Sequence, residues 1–398
     1  MPGLRLDHLE SSLQEEFRYF GRKILRPFAA EADRLADMPA ELSHRPEVIG
    51  FMRAHMPKEM SGEWPSLLYK GKRYDLSSSV KLRMIIGEEM GYGDAALYLA
   101  LPGPGLAEPI LKRLGSPEQI KRLFGVFLES VPKWAAFAMT EPDAGSDVTA
   151  MTTTARRENK SYVINGRKWF IGNGARADWV VVFATINSNS GPFGIRPFIV
   201  TRGTPGFRVG RILPSMGLRV LQISELIFED CRIAEDDLLG GYGFEAKRSG
   251  FRAGLHVFNV MRPVVGALAV GIARAAIDCL EDGVKTDRAS HFQARSWLET
   301  DREIEAMKPG LHAARLLCWK AAWLYDNGRD NTREAAAAKV LASRTAISIC
   351  SRALDLARRA NLSCLLTLEK LCRDVRAFDF LEGTEDVLKL SIAKTLTR

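Results

Sequence analysis

This 398-residue chain has only six cysteines and six histidines. No C-x-x-C pair, no H-x-x-x-H and no His/Cys cluster occurs, so neither a structural zinc site nor a disulfide framework is expected. The cysteines (Cys231, Cys279, Cys318, Cys350, Cys364 and Cys372) read as reduced packing residues of a cytoplasmic protein. No apolar run is long and charge-free enough to predict a membrane span, and the acidic, amphipathic opening "MPGLRLDHLESSLQEEFRYF" is unlike a targeting peptide. Long blocks of one charge are also lacking. The formal net charge of +8 is spread through mixed-sign segments, which argues against nucleic acid and leaves two readings: affinity for anionic ligands, or surplus surface Lys and Arg.

What is present falls into three segments. Residues 1–131 carry helical periodicity, as in "LDHLESSLQEEFRYFGRKIL" and "SPEQIKRLFGVFLESV", the latter opening on a Ser-Pro-Glu helix start. Residues 132–238 turn β-rich. "YVINGRKWFI" predicts a hairpin around Asn165-Gly166, and "WVVVFATI", "RPFIVTR" and "SELIFED" predict further strands. Residues 239–398 return to long Ala-rich helices suited to an up-down bundle. The expected fold is therefore α+β, mainly α: an N-terminal helical domain, a central β-barrel domain and a C-terminal four-helix bundle. "GGYGFEA" (240–246) loosely fits G-x-G-x-x-A, but no βαβ unit surrounds it, so an inter-domain turn is the better reading.

Two stretches carry possible chemistry. In "FAMTEPDAGSD" (137–147), Thr140 offers a hydroxyl in a turn-prone run, and Ala144-Gly145-Ser146 let backbone approach a phosphate or ring edge. A tight turn capped by Ser146 and Asp147 explains the same residues equally well. In "DFLEGTEDV" (379–387), Glu382 is either a solvated helix-end acid or a base.

With "NGRKWFIGNGARAD" (165–178), "GEEMGYGD" (87–94), "SMGLRVLQISELIFEDCRI" (215–233), "RPVVGALAVGIARAA" (262–276) and "RDVRAFDFLEGTEDV" (373–387), these motifs resemble the acyl-CoA dehydrogenase family along nearly the whole chain. The resemblance implies FAD as cofactor and α,β-dehydrogenation of an acyl thioester to the trans-2-enoyl product. It places Glu382 as the catalytic base, with its backbone N–H toward the thioester oxygen. It implies that Phe137, Met139, Thr140, Gly145, Ser146, Phe170, Ile171, Gly172, Thr384 and Asp386 line the flavin. Ser146, Arg262, Asn259 and Gly383 fall at substrate positions. Phe170 is either a flavin-stacking ring or a core aromatic. Gly172 stands where relatives often carry Thr, and Asn259 replaces a usual Asp.

Two motifs that hold the ADP half of FAD in relatives are absent. The stretch aligned with R-x-x-F-G is "VKTDRASHFQ" (284–293), and that aligned with Q-x-x-G-G is "DLARRAN", with Asp355 for Gln and Arg358-Arg359 for the glycines. Homo-oligomeric relatives lend these motifs to a neighbouring subunit's FAD. Their loss implies a second acyl-CoA dehydrogenase-like subunit in an α2β2 heterotetramer, as in the heteromeric enzymes of bacterial steroid side-chain degradation. A self-tetramer, a carrier-protein-specific dehydrogenase and a flavin-free structural subunit are the alternatives. Electron-transfer flavoprotein is the expected electron acceptor.

Overall fold

The computed structural model describes residues 6–54, 79–241, 250–288 and 294–396. Residues 289–293 of the R-x-x-F-G-aligned stretch and 242–246 of "GGYGFEA" lie outside these.

The N-terminal helices are α1 (His8–Tyr19), α2 (Ala29–Leu35), α3 (Ala40–Ser43), α4 (Pro46–Ala54), α5 (Val80–Ala100), α6 (Ala107–Leu114) and α7 (Pro117–Gly125). Their starts are written locally. Asp7 and Glu10 form a reciprocal capping box on α1, and Ser116 and Gln119 form another on α7, each satisfying amide groups that have no partner inside the helix. Helix α5 is kinked at Asp94 (φ −166°, ψ 111°). The Asp94 carboxylate accepts from the Leu97 amide at 2.8 Å and pairs with buried Lys370, so the break is capped again at once.

The middle of the chain forms one seven-stranded sheet: β1 (Ala135–Ala138), β2 (Thr154–Glu158), β3 (Ser161–Ile171), β4 (Trp179–Thr185), β5 (Ile195–Thr201), β6 (Phe207–Ile212) and β7 (Ser224–Ala234). The order is β1-β4-β2-β3-β7-β6, with β5 on β4. Strand β4 reads as an unbroken apolar run because both faces are covered. Trp179, Val181 and Phe183 pack on α6 and α7, while Val180, Val182 and Ala184 pack with Tyr162, Phe198 and Phe228; each such side chain contributes about 1.5–3 kcal/mol of burial.

The expected hairpin at Asn165-Gly166 is corrected. Strand β3 runs straight through it, and the two-residue turn sits at Asn159-Lys160, where Glu158 pairs with Ser161 and Asn159 has φ 55°. Gly166 is needed for a bulge and close approach: at φ +148°, a Cβ there would lie 2.5 Å from the Thr153 hydroxyl. Asn165 instead bonds Asp230 on β7.

The C-terminal part holds α8 (Gly250–Arg288), α9 (Ala294–Asp326), α10 (Thr332–Arg359), α11 (Leu365–Val375) and α12 (Glu385–Leu396). Ala335, Ala338, Ala342, Ala346 and Ala353 are all 1% exposed or less, so the Ala-rich face of α10 lets the helices approach closely. The membrane reading also needs correction: Phe258–Thr286 on α8 is long and apolar enough to span a bilayer, but 83% of an apolar 18-residue window within it is buried inside the protein, as in a core helix.

Arg373 and Asp374 act as a joint between the segments. Arg373 pairs with Asp33 of α2 at 2.6 Å and donates to the Met216 carbonyl, while Asp374 accepts from the Leu218 amide at 2.7 Å. Contact is so close that a Cβ on Gly217 would sit 2.2 Å from the Arg373 carbonyl oxygen. Gly217→Ala is expected to destabilise the protein by about 1–3 kcal/mol through backbone overpacking, measured as a lower thermal unfolding midpoint; an unchanged midpoint refutes it.

Candidate active site

The C-terminal half of the site is the turn between α11 and α12. Phe380 to Thr384 leave the helix, with Glu382 at φ 59° and Gly383 at φ 109°. The left-handed region is natural for Gly383 and strained for a glutamate, so the surroundings must hold it. They do so by taking up carbonyl oxygens. Arg262 Nε of α8 donates to Glu382 O at 3.3 Å. From α10, Lys339 Nζ donates to Asp379 O (2.9 Å) and Gly383 O (2.7 Å), and Ser343 Oγ to Phe378 O (2.8 Å). Thr384 caps α12, its carbonyl accepting from the Leu388 amide at 3.1 Å. Asp386 is exposed.

Glu382 is part-exposed as a residue, yet its Oε2 is shielded from solvent and has no hydrogen-bond partner among the described residues. Burial pushes its carboxyl pKa up to about 7, against the opposing charges of Arg262 and Lys339. A carboxylate removed from water without donors gains much by taking a proton. Among the described residues the Glu382 amide finds no backbone acceptor, so it is free to donate outward.

Arg262 and Asn259 are engaged internally: Arg262 Nη1 donates to Asn259 Oδ1 at 3.0 Å, and Asn259 Nδ2 to Thr332 Oγ1 at 3.1 Å. Burial lowers the Arg262 pKa, partly offset by Glu382. The guanidinium also lies 5.9 Å over the Phe258 ring. Phe258 packs on the apolar cluster that contains Met139 and borders Phe137, which ties the C-terminal turn to the sheet domain.

In the sheet half, the two loop motifs are locked together. Lys168 points inward from β3, is 0% exposed, and donates to Met139 O (3.0 Å) and Glu141 Oε1 (2.7 Å). Glu141 Oε2 accepts from the Thr152 amide (2.6 Å) and hydroxyl (2.8 Å), and Oε1 from the Thr153 amide (3.0 Å). The Trp169 amide donates to Thr140 O at 2.8 Å. This lock was not anticipated. Lys168 has the parity of core-facing Tyr162 and Ile164 on the same strand, the one signal that pointed to it.

Beyond the lock the strand bulges. Register shifts between Lys168 and Ile171, and Phe170 sits at φ 60° with 62% of its surface exposed. Phe170 is therefore an outward ring and not a core aromatic. Gly145 and Ser146 are exposed and Thr140 part-exposed. Met139 and Ile171 are buried at 3%, so their side chains belong to the core and only their backbones remain near the surface. Phe137 packs on Phe183, centroids 5.1 Å apart. A Cβ on Gly172 would lie 3.0 Å from Leu221 Cδ2, so Leu221 takes up space that a larger residue would need.

These residues fit the flavin end of FAD: an outward ring, an available hydroxyl, an open Gly-Ser segment and an orphaned buried carboxylate oxygen. They do not offer the ADP end a glycine cradle. Asp355, Arg358 and Arg359 lie exposed on the last turns of α10, and a cavity of about 490 Å³ beside them is lined by Glu299, Arg302, Glu303, Arg352 and Arg359.

Comparison with known proteins identifies the family. The family models for the N-terminal, middle and C-terminal domains of acyl-CoA dehydrogenase match residues 8–128, 136–231 and 248–397. The mitochondrial short-chain specific acyl-CoA dehydrogenase of Rattus norvegicus is 31% identical over 395 residues, covering 99% of this chain and 92% of that protein. The 3-(aryl)acrylate reductase of Clostridium sporogenes is 32% identical over 381 residues, 96% of each. Butyryl-CoA dehydrogenase from Megasphaera elsdenii superposes with a TM-score of 0.85 at 28% identity, covering 99% of this chain and 100% of that one. The chain belongs to the acyl-CoA dehydrogenase family, the FAD-dependent oxidoreductases that act on CH–CH bonds.

Proposed function

We propose that this chain dehydrogenates an acyl-CoA at its α,β bond, with Glu382 as the base that removes the α-proton. The observation that carries the reading is the shielded, unpartnered Glu382 Oε2 with its carboxyl pKa raised to about 7. A carboxyl of that strength is about half ionised at neutral pH, so enough of it is present as the base while protonation remains favourable. The Glu382 amide is the donor for the thioester oxygen, an interaction that strengthens as enolate character develops. Phe170, Thr140 and the Gly145-Ser146 segment are the residues that would hold the isoalloxazine, with Thr384 and Asp386 at its border. Ser146 borders the pantetheine arm, and Gly383 the thioester. Arg262, through Asn259 and Thr332, holds the base and its turn. Bound FAD supplies the acceptor for the β-hydride.

The exposed Arg358 and Arg359 favour a finer reading. This chain works beside a second acyl-CoA dehydrogenase-like subunit that contributes the ADP-binding motifs, as an α2β2 heterotetramer acting on bulky, ring-bearing thioesters, and passes electrons to an electron-transfer flavoprotein. Two long guanidinium side chains stand where a glycine pair would let backbone reach a pyrophosphate. Expressed alone, the chain is expected to hold well under one FAD per chain. Co-expressed with the product of the adjacent gene, it is expected to purify as a yellow complex bleached by substrate. A stable homotetramer with one FAD per chain overturns the heteromer and leaves the dehydrogenase. Matched CoA and carrier-protein thioesters with short, aryl and steroid-side-chain acyl groups then define the substrate.

A further inference from the structure

A buried lysine that the reaction itself does not use lies directly behind the base. Lys339 is 0% exposed, in the middle of the Ala-rich face of α10. Burying an ammonium costs several kcal/mol unless its N–H groups are taken up. Here its partners are two backbone carbonyls, Asp379 O and Gly383 O, on either side of the strained Glu382. No carboxylate oxygen is hydrogen-bonded to it among the described residues, so its charge is not neutralised by an ion pair. That is an unusual placement for a merely structural lysine, because a neutral donor would bind two carbonyls at lower cost.

We propose that Lys339 is a positioning residue for the base: by gripping the carbonyls of Asp379 and Gly383 it holds the Glu382 turn in its left-handed conformation, and its charge favours the ionised form of the nearby carboxylate. The inference rests on the reading of Glu382 as the base. Its physical logic is a division of labour. Burial alone drives the Glu382 carboxyl toward the neutral form, which cannot accept a proton; the cations behind it set how far that drift goes. The charged groups acting on Glu382 are Arg262 from α8 and Lys339 from α10. Those acting on Lys339 are Asp379, Glu382, Arg262 and Glu385. Glu385 is already paired with Arg344 and Lys389, while Arg262 reaches the turn at Glu382 O, so Lys339 and Arg262 are the two cations acting on it, and Lys339 is the one that holds two of its carbonyls.

The test uses the flavin-loaded protein, with its partner subunit where one is needed. Lys339→Gln keeps neutral donors and removes the charge; Lys339→Arg restores a charge. The pH dependence of kcat/KM is read together with the carboxyl infrared band assigned to Glu382 by its loss in Glu382→Gln. In Lys339→Gln, the Glu382 titration is expected to move up by about one unit, with kcat at pH 7 down about fivefold and KM within about threefold. Lys339→Arg is expected to return the titration to within about half that shift. An unmoved titration in Lys339→Gln, or an equal shift in both variants, overturns the proposal. If Lys339→Gln does not fold, Lys339→Arg decides: a wild-type titration supports the role and a displaced one overturns it. Failure here is separable from failure of the base itself, since an active Glu382→Gln protein would remove the base and leave these titrations without a role.

Discussion

Glu382→Gln is expected to lower kcat/KM for dehydrogenation by at least about 10²–10⁴-fold, the range supplied by a positioned general base. The yellow colour of the loaded protein should survive, because Phe170, Thr140 and the Gly145-Ser146 segment, the residues proposed to hold the isoalloxazine, lie in the sheet domain. In the unmodified protein kcat/KM should rise with pH through a limb near 7, where the Glu382 carboxyl ionises; the variant should lack that limb. The same substitution has a second, opposite consequence. The Glu382 pKa is raised from 4.5 to about 7 by burial. The protonated form is therefore the one the fold prefers, and stability fully present below about pH 4.5 is lost as pH rises through 7. That loss is about 3 kcal/mol for a shift of this size. Glutamine is permanently neutral, so Glu382→Gln should be more stable than the parent at pH 8 and equal to it near pH 4. Thermal unfolding at the two pH values checks this. A variant that is both active and no more stable at pH 8 would show that the carboxylate is neither the base nor buried.

Much of this architecture was legible from local chemistry. The capping boxes at Asp7 and Ser116, the two-faced apolar run of β4 and the Ala-rich face of α10 each announce their element through short-range physics. The Asn165-Gly166 hairpin misled because its turn-forming residues serve a bulge: Gly166 makes room for Thr153, a contact between positions that only the folded sheet brings together. Glu382 was legible as a candidate from the motif resemblance. Its unpartnered oxygen was not, since solvation of one atom depends on three elements distant in sequence. Lys339 and Lys168 were overlooked for a related reason. A lysine in a sequence reads as surface, and only the tertiary arrangement of carbonyls and carboxylates makes its burial tolerable. The exposed Phe170 is the converse, an aromatic placed outward by a backbone bulge that composition does not reveal.

Lys168→Ala is expected to cost about 3–5 kcal/mol, the penalty for leaving one half of a buried ion pair uncompensated. The two ends of the pair respond to burial differently. For Glu141, burial raises the pKa, but Lys168 together with the Thr152 and Thr153 donors outweighs it and holds the carboxyl at about 2. For Lys168, burial lowers the pKa to about 8 although Glu141 opposes it. The threonine donors account for the difference, because they support the carboxylate and offer nothing to the ammonium. At pH 7 both groups are charged, and removing Lys168 strands the carboxylate. Glu141 contributes stability present above pH 4.5 and lost as pH falls through about 2, so the parent should be acid-labile in that window. Glu141→Gln keeps an acceptor for the Thr152 and Thr153 groups, and in the Lys168→Ala background it should recover part of the loss, with a coupling of about 1–3 kcal/mol in a double-mutant cycle. Because Lys168 also carries the Met139 carbonyl, and Thr140 is bonded to the next residue, Trp169, the single variant should release flavin more readily than Glu382→Gln does. Equal flavin retention in the two variants would mean that the lock holds up the sheet without shaping the face beyond it.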